Sequence, residues 1–358
     1  MKTILYIVLL LILTAGAYLL FAPVPIDPVA WTPPPAPQLE GDFAVNTLLA
    51  ATERVAEADG TAPEDLVLDA AGRIYSGFLG GRVVRWEPDG TGMKEICNTG
   101  GRPLGMRFDA QGQLIVADAV KGLLSINTET GVITVLATGH GGRPFLFTDD
   151  LDIGADGTIY FSDASDKFGF QHYILDLLEH RPNGRVLSYS PQSKQTKLLI
   201  DQLHFANGVA IDPGQEFLLV CETGKHRVLR YWLMGEKAGQ TEKFLDNLPG
   251  FPDNVSSGSE GIFWVAIPSL RDATLDATLP LPFLRKMIVR LPEFLRPAPT
   301  RHSFVLGVDK DAKVVFNLQD PGGRYAPITS VQEHGGKLYF GSIIEHGFGR
   351  IARPSGAS

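Results

Sequence analysis

Six segments of this chain line up with one another, and that internal repeat constrains the fold more than any other feature. They are residues 64–69, 104–109, 149–154, 207–212, 253–258 and 329–334. Each opens on a mostly polar pair and carries an apolar residue at its third position: Leu66, Met106, Leu151, Val209, Val255 and Val331. Each leads through a turn into a second apolar stretch, such as Leu114-Ile-Val116, Phe217-Leu-Leu-Val220 or Phe263-Trp-Val265. A third follows in most repeats, at 81–86, 122–126, 184–189, 226–231 and 349–351. Short strands with Gly/Asp turns, recurring at roughly 40 to 75 residues, and no long helical pattern between them exclude a parallel βαβ fold. One small sheet per repeat, arranged radially, predicts an all-β fold: a six-bladed β-propeller, one domain spanning 41–353.

Two insertions break the rhythm, at about 168–181 and 270–302. The first holds a short helical pattern starting at Tyr173. In the second, Phe283, Leu284, Met287, Ile288 and Leu291 fall on one helical face, with Arg285, Lys286 and Arg290 away from it. Two placements stay open for this piece: packed on the rim or into the fifth blade, or lying as a lid over the channel mouth against a membrane.

The propeller is preceded by an uncharged apolar run at 4–22, long enough to cross nearly the whole of a ~30 Å hydrocarbon layer. Only Lys2 and the α-amino group precede it, and no Lys or Arg follows until Arg54. The positive-inside rule therefore puts the N-terminus in the cytoplasm and the propeller on the periplasmic, extracellular or lumenal side. Ala15-Gly16-Ala17 offers a signal-peptidase site, but the apolar run continues past it through Phe21, which favours an uncleaved anchor over residues 1–22. Seven prolines between Pro23 and Pro37 bar helix and sheet, so 23–40 reads as a semi-rigid stalk. The net charge of −8 argues against nucleic acid as a partner. The two cysteines, Cys97 and Cys221, belong to the first and fourth repeats. In a ring of six those blades stand opposite one another, so both thiols are expected free.

The repeat register also aligns chemistry. The first positions are Glu64, Leu104, Asp149, Asn207, Asp253 and Thr329, each just ahead of an innermost strand. Equivalent positions sit at one height around the axis, so Glu64, Asp149, Asn207 and Asp253, joined by neighbouring Asn254, should converge on one mouth of the channel. Carboxylates brought so close repel unless a cation neutralises them. The candidate ligands are all hard oxygens, which selects Ca²⁺ over Zn²⁺ and leaves room for water or substrate. The second positions add Asp65 and Asp150 as ligands for another cation deeper in the channel.

At this point the chain resembles a known superfamily of six-bladed propellers: the strictosidine synthase-like proteins, paraoxonases and gluconolactonases. The likeness is carried by Gly101-Arg-Pro-Leu-Gly105, Phe147-Thr-Asp-Asp-Leu151, Asn207-Gly-Val209, Pro249-Gly-Phe-Pro-Asp-Asn254 and Val331-Gln-Glu-His334. It implies a catalytic Ca²⁺ held by Glu64, Asp149, Asn207, Asp253 and Asn254, and a second, structural Ca²⁺ at Asp65 and Asp150. Two departures matter. Leu104 stands where paraoxonases carry a catalytic His, and Thr329-Ser330 stand where strictosidine synthase has its catalytic Glu. The second argues against a strictosidine synthase-type condensation. The gluconolactonase pattern implies another base, a metal-bound aspartate, here Asp253. The resulting expectation is a Ca²⁺-dependent hydrolase of a small-molecule ester or lactone. The alternative is a non-catalytic, calcium-stabilised binding propeller.

Overall fold

The computed structural model describes residues 1–296 and 300–355. Six four-stranded antiparallel sheets surround a central channel, the six blades of a propeller. From blade 1 to blade 6 the innermost strands are Leu66–Leu68, Pro103–Phe108, Thr148–Ile153, Ala206–Ile211, Val255–Ser257 and Ser330–His334. These are the six repeat segments, and none of their apolar third positions is more than 2% exposed. Six apolar clusters seal the six blade interfaces. Val67 and Val83 meet Met106 and Val116 between blades 1 and 2, for example, and Leu219 and Val228 meet Val255 and Phe304 between blades 4 and 5.

The ring is closed by Glu53–Val55, which pairs with Phe348–Ala352 as the outermost strand of blade 6, Glu53 opposite Arg350. Neither this closing strand nor the other outer strands, such as Lys94–Asn98 and Ile133–Ala137, emerged from the sequence pattern. They lie at the exposed edge of each blade, where no second face needs burying and the alternation fades.

Both insertions connect the second and third strands of a blade, at 164–183 in blade 3 and 267–302 in blade 5. Antiparallel pairing sets the start of each innermost strand beside the end of the second, as in Thr148 opposite Asp163. The insertions therefore emerge on the face where the repeat's first positions lie. There they form a roof.

The N-terminal helix α1 (Lys2–Phe21) has mean hydropathy 2.6 and no buried residue, so it is long and apolar enough to span a membrane. The roof contains α2 (Tyr173–Glu179), α3 (Ala273–Thr278) and α4 (Pro282–Arg290). Asp272 caps α3 by accepting the Leu275 N–H at 2.8 Å, and Pro282 opens α4 at the position where a missing N–H costs nothing. Residues 297–299 of the second insertion lie outside the described residues.

The inward face of α4 is not the one its periodicity suggests. Phe283 and Leu284 are exposed, whereas Arg285 is fully buried. Its guanidinium donates to the carbonyls of Leu178 at 2.8 Å, Glu179 at 3.3 Å and Leu279 at 3.0 Å, and to that of Val29. Carbonyls from the ends of α2 and α3 converge with one from the proline-rich segment, and an arginine satisfies them as no apolar residue can.

Nor is the 23–40 segment a free-standing stalk. It has no helix or strand, as its prolines require, but it is strapped across the roof. Ile26 is buried against Phe168, Leu178, Leu275 and Ile288. The N–H groups of Val29 and Trp31 donate to Glu179 and Leu279 carbonyls, both at 3.1 Å. Arg271 and Asn247 hold the carbonyls of Pro34 and Pro35. Cys97 in blade 1 and Cys221 in blade 4 are both free, as their opposed positions require.

Candidate functional site

The first positions of the repeats gather under the roof. Glu64, Asp149, Asn207 and Asn254 are 3 to 5% exposed, and Asp253 is partly buried beside them. The backbone fixes each in place. The Asp253 N–H donates to the Ala266 carbonyl at 2.9 Å, and the Gly208 N–H reaches across blades to the Asp253 carbonyl at 3.1 Å. That approach needs glycine: a Cβ on Gly208 would stand 2.4 Å from the Val255 nitrogen. Gly105 is constrained in the same way by the Asp150 carboxylate, 2.3 Å from where its Cβ would lie.

Two asparagines are laid against two of the acids. The Asn254 amide donates to Glu64 Oε1 at 2.6 Å, and the Asn207 amide donates to Asp253 Oδ1. The opposite atoms, Glu64 Oε2, Asn207 Oδ1 and Asn254 Oδ1, are buried without any hydrogen-bond partner. Among the described residues no three carboxylate, imidazole or thiol groups share one metal-binding point, so any ion here depends on the asparagine oxygens. Burial, then the charges of Asp253 and Asp149, push the Glu64 carboxyl well above its usual range. Burial and then Asp253 do the same to Asp149, and burial lifts Asp253 to about 7. Three orphaned acceptors among mutually repelling acids are a donor set that fits a hard cation such as Ca²⁺.

Asp65 and Asp150 lie deeper in the channel, where their carboxylates are hydrogen-bonded to the protein. Asp65 Oδ1 accepts from Gln332 at 3.2 Å, and its Oδ2 accepts from the Met106 N–H at 3.3 Å and the Arg107 guanidinium at 3.0 Å. Asp150 accepts the N–H groups of Leu151 at 2.8 Å and Val209 at 2.9 Å. Every carboxylate oxygen there is engaged, and Arg107 supplies the positive charge, with Asp152 3.8 Å from its Nε. The sequence reading overlooked Arg107 because it lies two residues past its repeat's second position.

Other residues complete the mouth. Arg102 is buried with its charge in the field of Glu64 and Asp149. Leu104, Phe147 and Phe205 form an apolar cluster under Phe170, Tyr173 and Leu177 of the first insertion. Tyr173 lies near enough to Asp253 for that carboxylate to raise its hydroxyl pKa, after burial. A cavity of about 410 Å³ lined by His204, Glu222 and Arg227 opens elsewhere, between the outer strands of blades 3 and 4. His204 is engaged there, its Nδ1 3.1 Å from Glu222 Oε1.

Residues 149–236 match the family described as strictosidine synthase, and residues 41–86 match strictosidine synthase-like, N-terminal. Adipocyte plasma membrane-associated protein of Rattus norvegicus is 35% identical over 341 residues, covering 89% of this chain and 90% of the rat protein. Protein strictosidine synthase-like 13 of Arabidopsis thaliana is 34% identical over 325 residues, covering 82% and 78%. The chain belongs to the strictosidine synthase-like family. Among solved structures, a gluconolactonase of Xanthomonas campestris superposes with a TM-score of 0.58 at 17% identity, over 82% of this chain and 85% of the other. That likeness shows the shared propeller fold.

Proposed function

We propose that this chain is a Ca²⁺-dependent hydrolase of an ester or lactone. The observation that carries the reading is the set of buried, unpaired oxygens on Glu64, Asn207 and Asn254 beside the carboxylates of Asp149 and Asp253. These five residues would hold the ion. Bound there, Ca²⁺ supplies Lewis-acid polarisation of a carbonyl and stabilises negative charge developing on its oxygen. Asp253 is the base: the Asn207 amide orients its carboxylate to take a proton from water. Leu104, Phe147, Phe205 and Tyr173 shield the centre and present an apolar wall to the substrate. The gluconolactonase of like fold acts, by its name, on a lactone. Thr329 spends its hydroxyl on the Glu64 carbonyl at 2.8 Å and offers no acid for a condensation.

The second reading, a calcium-stabilised binding propeller without catalysis, is favoured by burial: Glu64 and Asn254 are only 3% and 4% exposed, which leaves little of the ion site open to a substrate. A panel of phenyl esters and lactones, assayed on the full chain with and without a calcium chelator, separates the two. Chelator-sensitive hydrolysis is the expected result. Tight Ca²⁺ binding with no hydrolysis of any substrate would put the binding propeller in its place.

A further inference from the structure

Apart from Phe21 at the end of α1, only Phe283 and Phe294 among the twenty phenylalanines of the chain are exposed, at 51% and 84%. Both belong to the roof, and with them lie Leu281 at 50%, Leu284 at 37% and Leu295 at 56%. A patch of this kind rarely stays in water unless something covers it. Its position names the cover. The C-terminal end of α4 packs against the C-terminal end of α1. Arg290 donates to the Leu19 carbonyl at 2.8 Å and the Ala22 carbonyl at 2.6 Å, two of the last carbonyls of α1, where a cation also offsets the helix dipole. The end of a spanning helix lies at the bilayer surface, so Arg290 lies there too. Phe283 is seven residues back along α4, about 10 Å at 1.5 Å per residue, and Phe294 is four residues beyond Arg290. Both fall within reach of the headgroup layer. Lys286, Arg290 and Arg296 place positive charge beside these residues, offset by Glu293 and by Asp27, 3.5 Å from Lys286.

We propose that α4 and the turn after it dock on the bilayer that α1 enters, with Phe283, Leu284, Phe294 and Leu295 sunk into its interfacial layer. The roof then faces lipid, and the mouth beneath it opens toward the membrane. The proposal rests on α1 remaining attached, and it stands whether or not the site hydrolyses esters.

The test uses the full chain in phosphatidylcholine vesicles, with Phe283→Trp and Phe294→Trp read as difference fluorescence against wild type. Vesicles whose acyl chains carry bromine near the headgroup supply the quencher. Val132→Trp is the control. Val132 is 60% exposed on the turn before the outer strand of blade 2, on the propeller face opposite the roof. The added emission at 283 and 294 should shift to the blue and be quenched by bromine, while that at 132 keeps a water-exposed wavelength and is not quenched. Emission at 283 and 294 matching that at 132 overturns the proposal. A blue shift without quenching overturns it as well, since a second copy or another protein then covers the patch.

Discussion

Replacing Arg285 with methionine should loosen the roof while leaving the blades intact. The guanidinium meets four carbonyls from three separate segments. Two of them keep another donor: Glu179 O still accepts from Val29 N–H, and Leu279 O from Trp31 N–H. The carbonyls of Leu178 and Val29 lose their side-chain donor. A buried group left unpaired costs about 1–3 kcal/mol, so two cost about 2–6 kcal/mol. Part of this is returned, because burial without a carboxylate partner pushes the Arg285 pKa down to about 10 and methionine escapes that strain. The net loss falls on contacts within the roof, not between blades, and should appear as local opening. Hydrogen exchange reads it directly at the Val29 and Trp31 amides, which should lose protection while amides of the inner strands keep theirs. Arg285→Lys, a cation with a single point of attachment, should fall between. Unchanged exchange at both amides in Arg285→Met would refute the idea that this side chain holds strap and helices together.

Four further outcomes follow from the same geometry. Asp176 is buried under Ser165 and Asn183, and burial raises its carboxyl from 3.8 to about 6. A raised acid stabilises the fold fully below its unfolded pKa and loses that contribution as pH rises through 6, here about 3 kcal/mol for two units. Asp176→Asn should therefore melt above wild type at pH 8, with the gap closing below pH 4. Arg107→Ala leaves Asp65 and Asp150 without a cation and should cost about 3–5 kcal/mol, partly recovered by millimolar Ca²⁺ in a melting assay. Asp253→Asn should hydrolyse esters at least ~10²-fold more slowly than wild type while keeping more Ca²⁺ affinity than Asp253→Ala. A tag placed after Ala22 should be cleaved by protease added outside intact cells or spheroplasts, and one before Lys2 should be protected; the reverse pattern would overturn the exported orientation.

The repeat made the propeller legible because every blade must bury both faces of its inner strands, so Leu66, Met106, Leu151, Val209, Val255 and Val331 are apolar whatever surrounds them. The same register brought Glu64, Asp149, Asn207 and Asp253 to one mouth. What stayed hidden was set by contacts between distant segments. The closing strand at Glu53 finds its partner nearly three hundred residues away, at Arg350. Arg285 reads as a solvent-facing charge until the ends of α2 and α3 and the strap are brought around it. Arg107 reads as a strand residue until the channel places it against Asp65. For both arginines, local pattern was overruled by carbonyls or carboxylates that a single cationic side chain satisfies.

The central claim is that one cation sits among Glu64, Asp149, Asn207, Asp253 and Asn254. Calorimetric titration of the full-length, chelator-treated protein with Ca²⁺ tests it most directly, run beside Asn207→Ala and Asp253→Ala. The account predicts a single ion per wild-type chain and weakened binding in both variants. No binding by wild type at millimolar Ca²⁺, or binding that neither substitution weakens, would contradict it.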